Sequence, residues 1–170
     1  MTEPDRTEPG APGHVARPFG TAGGWPVADL DPVRRLRVLA VGVRGAHVTE
    51  GFVPAPYDRV WALLDDLEGD FGRIVPDMRR LRVVRRDGPR VEALARSRYG
   101  MRAGLRGEQR PGWCWLQSRF LLIGVAASPE GTGTRVAFTG GVRVPGRAAL
   151  VPLGVRREGE RSLRRLTGLL

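Results

Sequence analysis

Residues Val48 to Glu68 read VTEGFVPAPYDRVWALLDDLE, and the fold turns on how this stretch is parsed. With His47 in front of it, HVTEGFV reads as a strand closed by the Pro54 and Pro56 pair. Pro56 suits the first turn of a helix through PYDRVWALLDDL, because its missing N–H has no partner there anyway. Val60, Leu63, Leu64 and Leu67 fall on one face at helical spacing, with Trp61 at the edge. A strand that runs straight into an amphipathic helix through a proline turn is the unit from which the rest is read.

Upstream, Arg37 to Val43 (RVLAVGV) is a short apolar run that fits either a strand or one buried helical turn. Downstream, Asp65, Asp66, Glu68 and Asp70 gather at the helix end, unfavourably for its dipole but easily solvated. A second short helix is expected over Phe71 to Val75, stopped by Pro76. Strands follow. LRVVRR, the turn Asp87-Gly88-Pro89 and VEALARSRY make a first hairpin. Met101 to Leu105 reads as a weaker strand between Gly100 and Gly104. After the Pro111-Gly112 turn come WCWLQSRF and LIGVAAS, then the PEGTG turn and a last strand, TRVAFTGGVRV. In that strand Val136, Phe138, Val142 and Val144 alternate with Arg135, Ala137, Thr139 and Arg143, which points Phe138 inward and Arg135 outward.

Helical spacing returns at the C-terminus. Pro152 and Gly154 mark its start, and Val155, Gly159, Leu163, Leu166 and Leu170 share a face against a surround of Arg and Glu. Glu160 and Arg164 form an i,i+4 pair in the favourable orientation. From Arg156 onward such a helix is roughly 22 Å long, enough to cross a sheet.

A chain of 170 residues and 18.6 kDa is one domain by length. All 28 basic residues are Arg, against 18 acids, for a net charge of +10; a bias this complete looks genomic and argues against assigning each Arg a ligand. With 41% apolar residues and a mean hydropathy of −0.24, the composition is globular. Residues 1–33 are rich in Pro, Gly and Thr and are expected to be a disordered leader, with Trp25 the one residue suited to docking. They carry two Arg against five acids, a net of −3, which leaves +13 on a single folded domain over 34–170. The acidic opening MTEPDRTEPG does not resemble a secretory signal, and no apolar run approaches the roughly 18 residues of a membrane span. The single Cys114 excludes an internal disulfide and favours a reducing, cytoplasmic setting. His47 and Cys114 are too few ligands for a tight metal site, so no metal and no cofactor are expected.

An antiparallel sheet with one long amphipathic helix has one apolar face to cover, and the expected class is α+β, with the sheet curled around that helix. VTEGFVPAPYDRVWALLDDLE resembles the opening of the START-like superfamily, also called SRPBCC or helix-grip, on Ala55, Pro56, Val60 and Trp61. Ile74-Val75-Pro76-Asp77 is similar to the family's segment before the second strand, and Glu130 to Val136 to its turn into the last one. The resemblance covers roughly 45–170 and implies a curved antiparallel sheet wrapped around a C-terminal helix, with two short helices after the first strand. It implies binding of a small apolar or aromatic ligand between sheet and helix. The alternative it implies is an aromatase/cyclase of the polyketide type, with Tyr99, Glu50 and an inward Arg such as Arg98 as candidates for moving protons.

For lining the cavity the candidates are Glu50, Trp61, Tyr99, Trp115, Gln117 and Phe138. Glu50 shares a strand face with Val48 and Phe52; it either points inward or pairs outward with an Arg of a neighbouring strand. Val91, Ala93, Ala95, Ser97 and Tyr99 form a small, mostly apolar row suited to a cavity wall, opposite Glu92, Leu94, Arg96 and Arg98. Trp113, Trp115, Gln117 and Arg119 form one row, and Cys114, Leu116, Ser118 and Phe120 the other; either suits the pocket. The third reading is a basic interaction module, because +13 attracts nucleic acid or anionic surfaces weakly and in a salt-dependent way. From Arg79 to Arg119 alone there are twelve Arg against three acids.

Overall fold

The computed structural model describes residues 30–76, 78–142 and 152–170, with the side chains of 142 and 152–156 left aside. Residues 1–29 of the expected leader, with Trp25, lie outside the described residues, as do Arg143 and Val144 of the expected last strand; Asp31, Pro32 and Val33, expected in the leader, instead open a helix. In chain order the elements are α1 (Pro32–Val41), β1 (His47–Val53), α2 (Tyr57–Asp65), α3 (Phe71–Ile74), β2 (Met78–Asp87) and β3 (Arg90–Ser97). They continue with β4 (Arg102–Arg110), β5 (Trp113–Gln117), β6 (Leu121–Glu130), β7 (Gly133–Val142) and α4 (Pro152–Thr167). The strands form one curved antiparallel sheet in the order β1-β7-β6-β5-β4-β3-β2. Every hairpin follows sequence order, and only β1 reaches across the chain, to pair with β7.

Tight turns set the registers. Gly88, Gly112 and Gly131 take positive φ (54°, 74° and 56°) at the tips of the three hairpins expected from Asp-Gly-Pro, Pro-Gly and Pro-Glu-Gly. The stretch after Gly100 is longer than the short strand expected, because β4 pairs with β3 from Arg102 through Glu108. The run Arg37 to Val43 resolves in favour of a helix, and a longer one than a single turn. Asp31 caps it, its Oδ1 accepting from Val33 N at 3.0 Å and Arg34 N at 3.1 Å, with Pro32 at the first position. Val33, Leu36 and Ala40 are its buried face. Pro56 stands at the N-cap of α2, one residue before the first turn.

Strand alternation divides the core in two. The inner face carries Val53, Val136, Phe138, Val125, Ala127, Cys114, Leu116, Leu105, Val91, Ala93 and Ala95, packed with α2, α3 and α4. On the outer face a smaller cluster of Trp113, Trp115, Leu122, Ala126 and Ala137 receives Val33 and Leu36 of α1. So α1 sits on the side of the sheet opposite α4, over β5, β6 and β7. It reaches the sheet closely because Gly124 lies beneath it: a Cβ there would stand 2.9 Å from Leu36 Cδ1 and 3.1 Å from Trp115 Cε3.

On the inner face, α4 packs on β1 and β7. Gly51 makes room for Leu163, whose Cδ1 would lie 2.8 Å from an added Cβ, and Gly159 of the helix rests on Thr49, with 2.6 Å from such a Cβ to Thr49 Cβ. Leu166 is fully buried, and Leu163, Leu169 and Leu170 pack against the same core, as the helical spacing requires. Thr134 Oγ1 donates to Ala55 O at 2.8 Å and ties the turn before α2 to β7. No helix among the described residues is long and apolar enough to cross a membrane.

Candidate functional site

The inner face of the central strands is narrow in its side chains. Ala93 and Ala95 of β3 oppose Leu105 and Ala103 of β4, and Gly107 of β4 opposes Leu116 of β5. Cys114 faces Gln109 on the same side. Trp61 of α2 and Phe138 of β7 belong to this inner core, both nearly buried. These two are the sequence candidates that the structure brings to the inner side.

The other four stand elsewhere. Glu50 is on the outer face, opposite Ala137. Its carboxylate takes a two-pronged pair from Arg37 of α1, Nε to Oε1 at 2.9 Å and Nη2 to Oε2 at 2.8 Å. Arg135 of the neighbouring β7 stands 4.0 Å away; its hydrogen bond to Glu130, followed by the charges of Glu130 and Glu50, raises its pKa. The Glu50 side chain is only 19% exposed, so the charge is held by partners on two elements. Of the two placements weighed for Glu50, the outward one holds. Trp115 packs beneath α1 and donates from Nε1 to Gln117 Oε1 at 3.3 Å, so that row faces outward. Tyr99 sits in the turn after β3 and is 76% exposed, not at the end of an inner row. Val91, Ala93 and Ala95 do line the inner face; the wall ends where the strand ends. Tyr99, Glu50 and Arg98 therefore do not converge on any common point.

Sequence reasoning missed the polar group of the inner face. Gln109 is 5% exposed. Its amide nitrogen donates to Asp65 O and to Asp65 Oδ1, each at 2.7 Å, and its Oε1 accepts from Arg86 Nη2 at 2.6 Å. Asp65, expected as part of a solvated acidic cap, instead closes α2 onto β4. Its neighbours serve the turn: Asp66 Oδ1 accepts from Gly69 N at 3.0 Å, and Asp70 pairs with Arg73 at 2.8 Å. The available signal was strand parity, which puts Gln109 on the side of Leu105.

Burial pushes the Cys114 thiol from 9.0 up to about 12, with Asp65 adding to the rise and Arg86 opposing it. A thiol so raised is neutral and inert in the native protein. At pH 8 iodoacetamide is expected to label the folded chain roughly 10³-fold more slowly than the urea-unfolded one, from the thiolate fractions alone. The neutral thiol favours the folded state fully below pH 9, and that contribution is lost as pH rises from 9 towards 12. Rapid native labelling at pH 8 contradicts the inward placement. Among the described residues no group of three or more His, Cys, Asp and Glu side chains is placed to hold a metal.

No family model and no curated protein matches this sequence. Solved structures do. Protein TTHA0849 from Thermus thermophilus aligns at a TM-score of 0.54 with 23% identity, over 72% of this chain and 94% of that one. The Zhui aromatase/cyclase from Streptomyces sp. R1128 aligns at 0.53 with 15% identity, over 73% and 92%. The 18 kDa protein CC1736 from Caulobacter crescentus aligns at 0.52 with 21% identity, over 73% and 91%. The chain has the helix-grip fold. In this helix-grip chain α1, outside the span of the sequence resemblance, covers the outer side of the sheet over β5 to β7 and takes up two of the tryptophans.

Proposed function

We propose that this helix-grip chain binds a small apolar or aromatic molecule between the inner face of its sheet and α4. The observation that carries the reading is the small inner wall of β3 to β5. Ala93, Ala95, Ala103, Gly107 and Cys114 stand there, while α4 presses against β1 and β7 at the other end of the sheet. Trp61, Phe71 and Phe138 are aromatic side chains of that inner core, with Tyr57 packed against it. Gln109, held between Asp65 and Arg86, is the polar group that would orient a guest, in keeping with sites that are mostly apolar with a few fixed polar atoms. Among the described residues Tyr99, Glu50 and Arg98, the groups expected to move protons, do not converge on this wall, so binding is favoured over cyclisation, and fold alone assigns no chemistry.

The test is titration with a neutral fluorescent naphthylamine. One saturable site per chain is expected, with Ala93→Phe weakening it at least tenfold and the outward Leu94→Phe leaving it unchanged. Should Ala93→Phe fold poorly, NMR shift changes in the wild-type chain locate the probe. Perturbed methyls of Val91, Leu105 and Leu116 support the site. Absence of saturable binding, or perturbation confined to the outer face, overturns it.

A further inference from the structure

The outer face is only half covered. Over β5 to β7 it lies under α1, whereas over β2 to β4 the outward positions include six arginines, Arg80, Arg82, Arg85, Arg90, Arg96 and Arg102, every one exposed. None of these six has an ion pair or hydrogen-bond partner among the described residues. Three carboxylates lie on the patch: Glu92 is taken by Arg106 at 3.4 Å, Glu108 by Arg110 at 3.2 Å, and Asp87 stands exposed at the hairpin tip opposite Arg90. Three of the six stand in one line across the strands. Arg80 opposes Arg96, and Arg96 opposes Arg102. Directly opposed residues hold their Cβ atoms about 5 Å apart, so this ladder is repulsive as it stands. A compositional bias towards Arg explains the residue type. It does not explain why the line Arg80-Arg96-Arg102 holds no acid, and an anion laid across it removes the repulsion.

Next to that line the surface is recessed. Arg82, Leu94 and Gly104 form the next row, and an added Cβ on Gly104 would meet nothing within 4 Å. A trough of about 450 Å³ opens here, lined by Val84, Leu94, Gly104, Arg106, Gln117 and Arg119 among others. Its floor is apolar, with Leu94 49% exposed, and its rim carries Arg106 and Arg119 beside Glu92. From Arg96 to Arg90 the basic face runs roughly 20 Å along β3, too long for a single phosphate group.

We infer that this arginine-lined half of the outer face binds a single-stranded polynucleotide, with phosphates on the arginines and a base against Leu94 and Val84. Guanidinium groups chelate phosphate oxygens in pairs and also stack on bases. The recessed apolar floor suits a base projecting from a chain, whereas a lipid bilayer presents a flat plane and would need protruding apolar side chains. The surface is on the opposite side of the sheet from the ligand site proposed above and stands or falls without it.

The experiment uses the full chain and fluorescein-labelled 12-nucleotide uridine and thymidine homopolymers, followed by anisotropy from 50 to 200 mM salt. Arg96→Glu/Arg102→Glu is expected to weaken binding at least tenfold and to flatten the slope of log K against log salt by about 1.4, for two lost phosphate contacts. The charge-matched Arg157→Glu/Arg161→Glu on α4 should lose less than threefold. Tighter binding of the uridine strand assigns contacts to the 2′-hydroxyl; equal binding assigns the phosphodiester backbone alone, and either supports the surface. Arg96→Gln should raise the melting temperature without nucleic acid, since it breaks the ladder, and should reduce the further rise that bound oligonucleotide gives. Equal losses in both double variants overturn the inference, as does binding to vesicles with 30% phosphatidylserine but not to either oligonucleotide.

Discussion

Gly107→Val is expected to leave no folded protein at 25 °C, measured as loss of the near-ultraviolet dichroism of the tryptophans and of a cooperative melting transition. Gly107 faces inward on β4 opposite Leu116, and an added Cβ would run into the backbone carbonyl of Trp115, within 2.8 Å of its carbon and 3.0 Å of Leu116 Cα. A flexible side chain yields to such an intrusion; a paired strand does not. Overpacking against movable side chains costs about 1–3 kcal/mol. Here the alternative is to separate β4 from β5 in the middle of the sheet, which compares with a total stability of about 5–15 kcal/mol. The control lies three residues away on the other face. Gly104→Ala meets open space and is expected to be neutral or to stabilise by up to about 1 kcal/mol, because alanine loses less freedom in a strand. A native-like Gly107→Val melt would mean that β4 and β5 are not paired in this register.

Leu36→Ala is the second large effect. Leu36 is fully buried in the outer cluster with Trp113, Trp115 and Leu122, and it stands over Gly124. Truncating a leucine in such a place costs about 2–5 kcal/mol in urea unfolding, the higher end where neighbours cannot close the gap. The two indoles beneath are held in the sheet, and little collapse is available. The exposed Leu39 of the same helix, 41% accessible, serves as the contrast, with Leu39→Ala within about 0.5 kcal/mol. Equal and small effects at both positions would show that α1 does not dock on the sheet in solution.

Both results bear on what local pattern can reveal. Alternation placed Phe138 inward and Arg135 outward, and grouped Val91, Ala93 and Ala95 on one wall, because period two is a property of the strand itself. Helical spacing in PYDRVWALLDDL and at Gly159, Leu163 and Leu166 was equally plain, as was each Gly turn. These features arise from neighbours in the chain, and a residue's sequence position is enough to express them.

Which wall faces which helix is another matter. The Trp113 row and the Cys114 row both contain large side chains, and nothing within WCWLQ distinguishes them. The choice was made by α1, which ends at Val41, far upstream of Trp113, and which buries Trp113 and Trp115 on the side away from α4. Glu50 likewise took its orientation from Arg37, thirteen residues earlier, and from Arg135 on a strand joined to it only by pairing. Gln109 gained its role from Asp65, forty-four residues away. Sequence by itself settled β1, α2, the hairpins with their turns and each strand's two faces, since short-range sterics and hydrophobic period dictate these, but it left Arg37 to Val43 open between strand and helix. Only the tertiary structure decided which face is inner, which charges are paired and which arginines stand unpaired in a row, because those depend on partners brought together across the sheet.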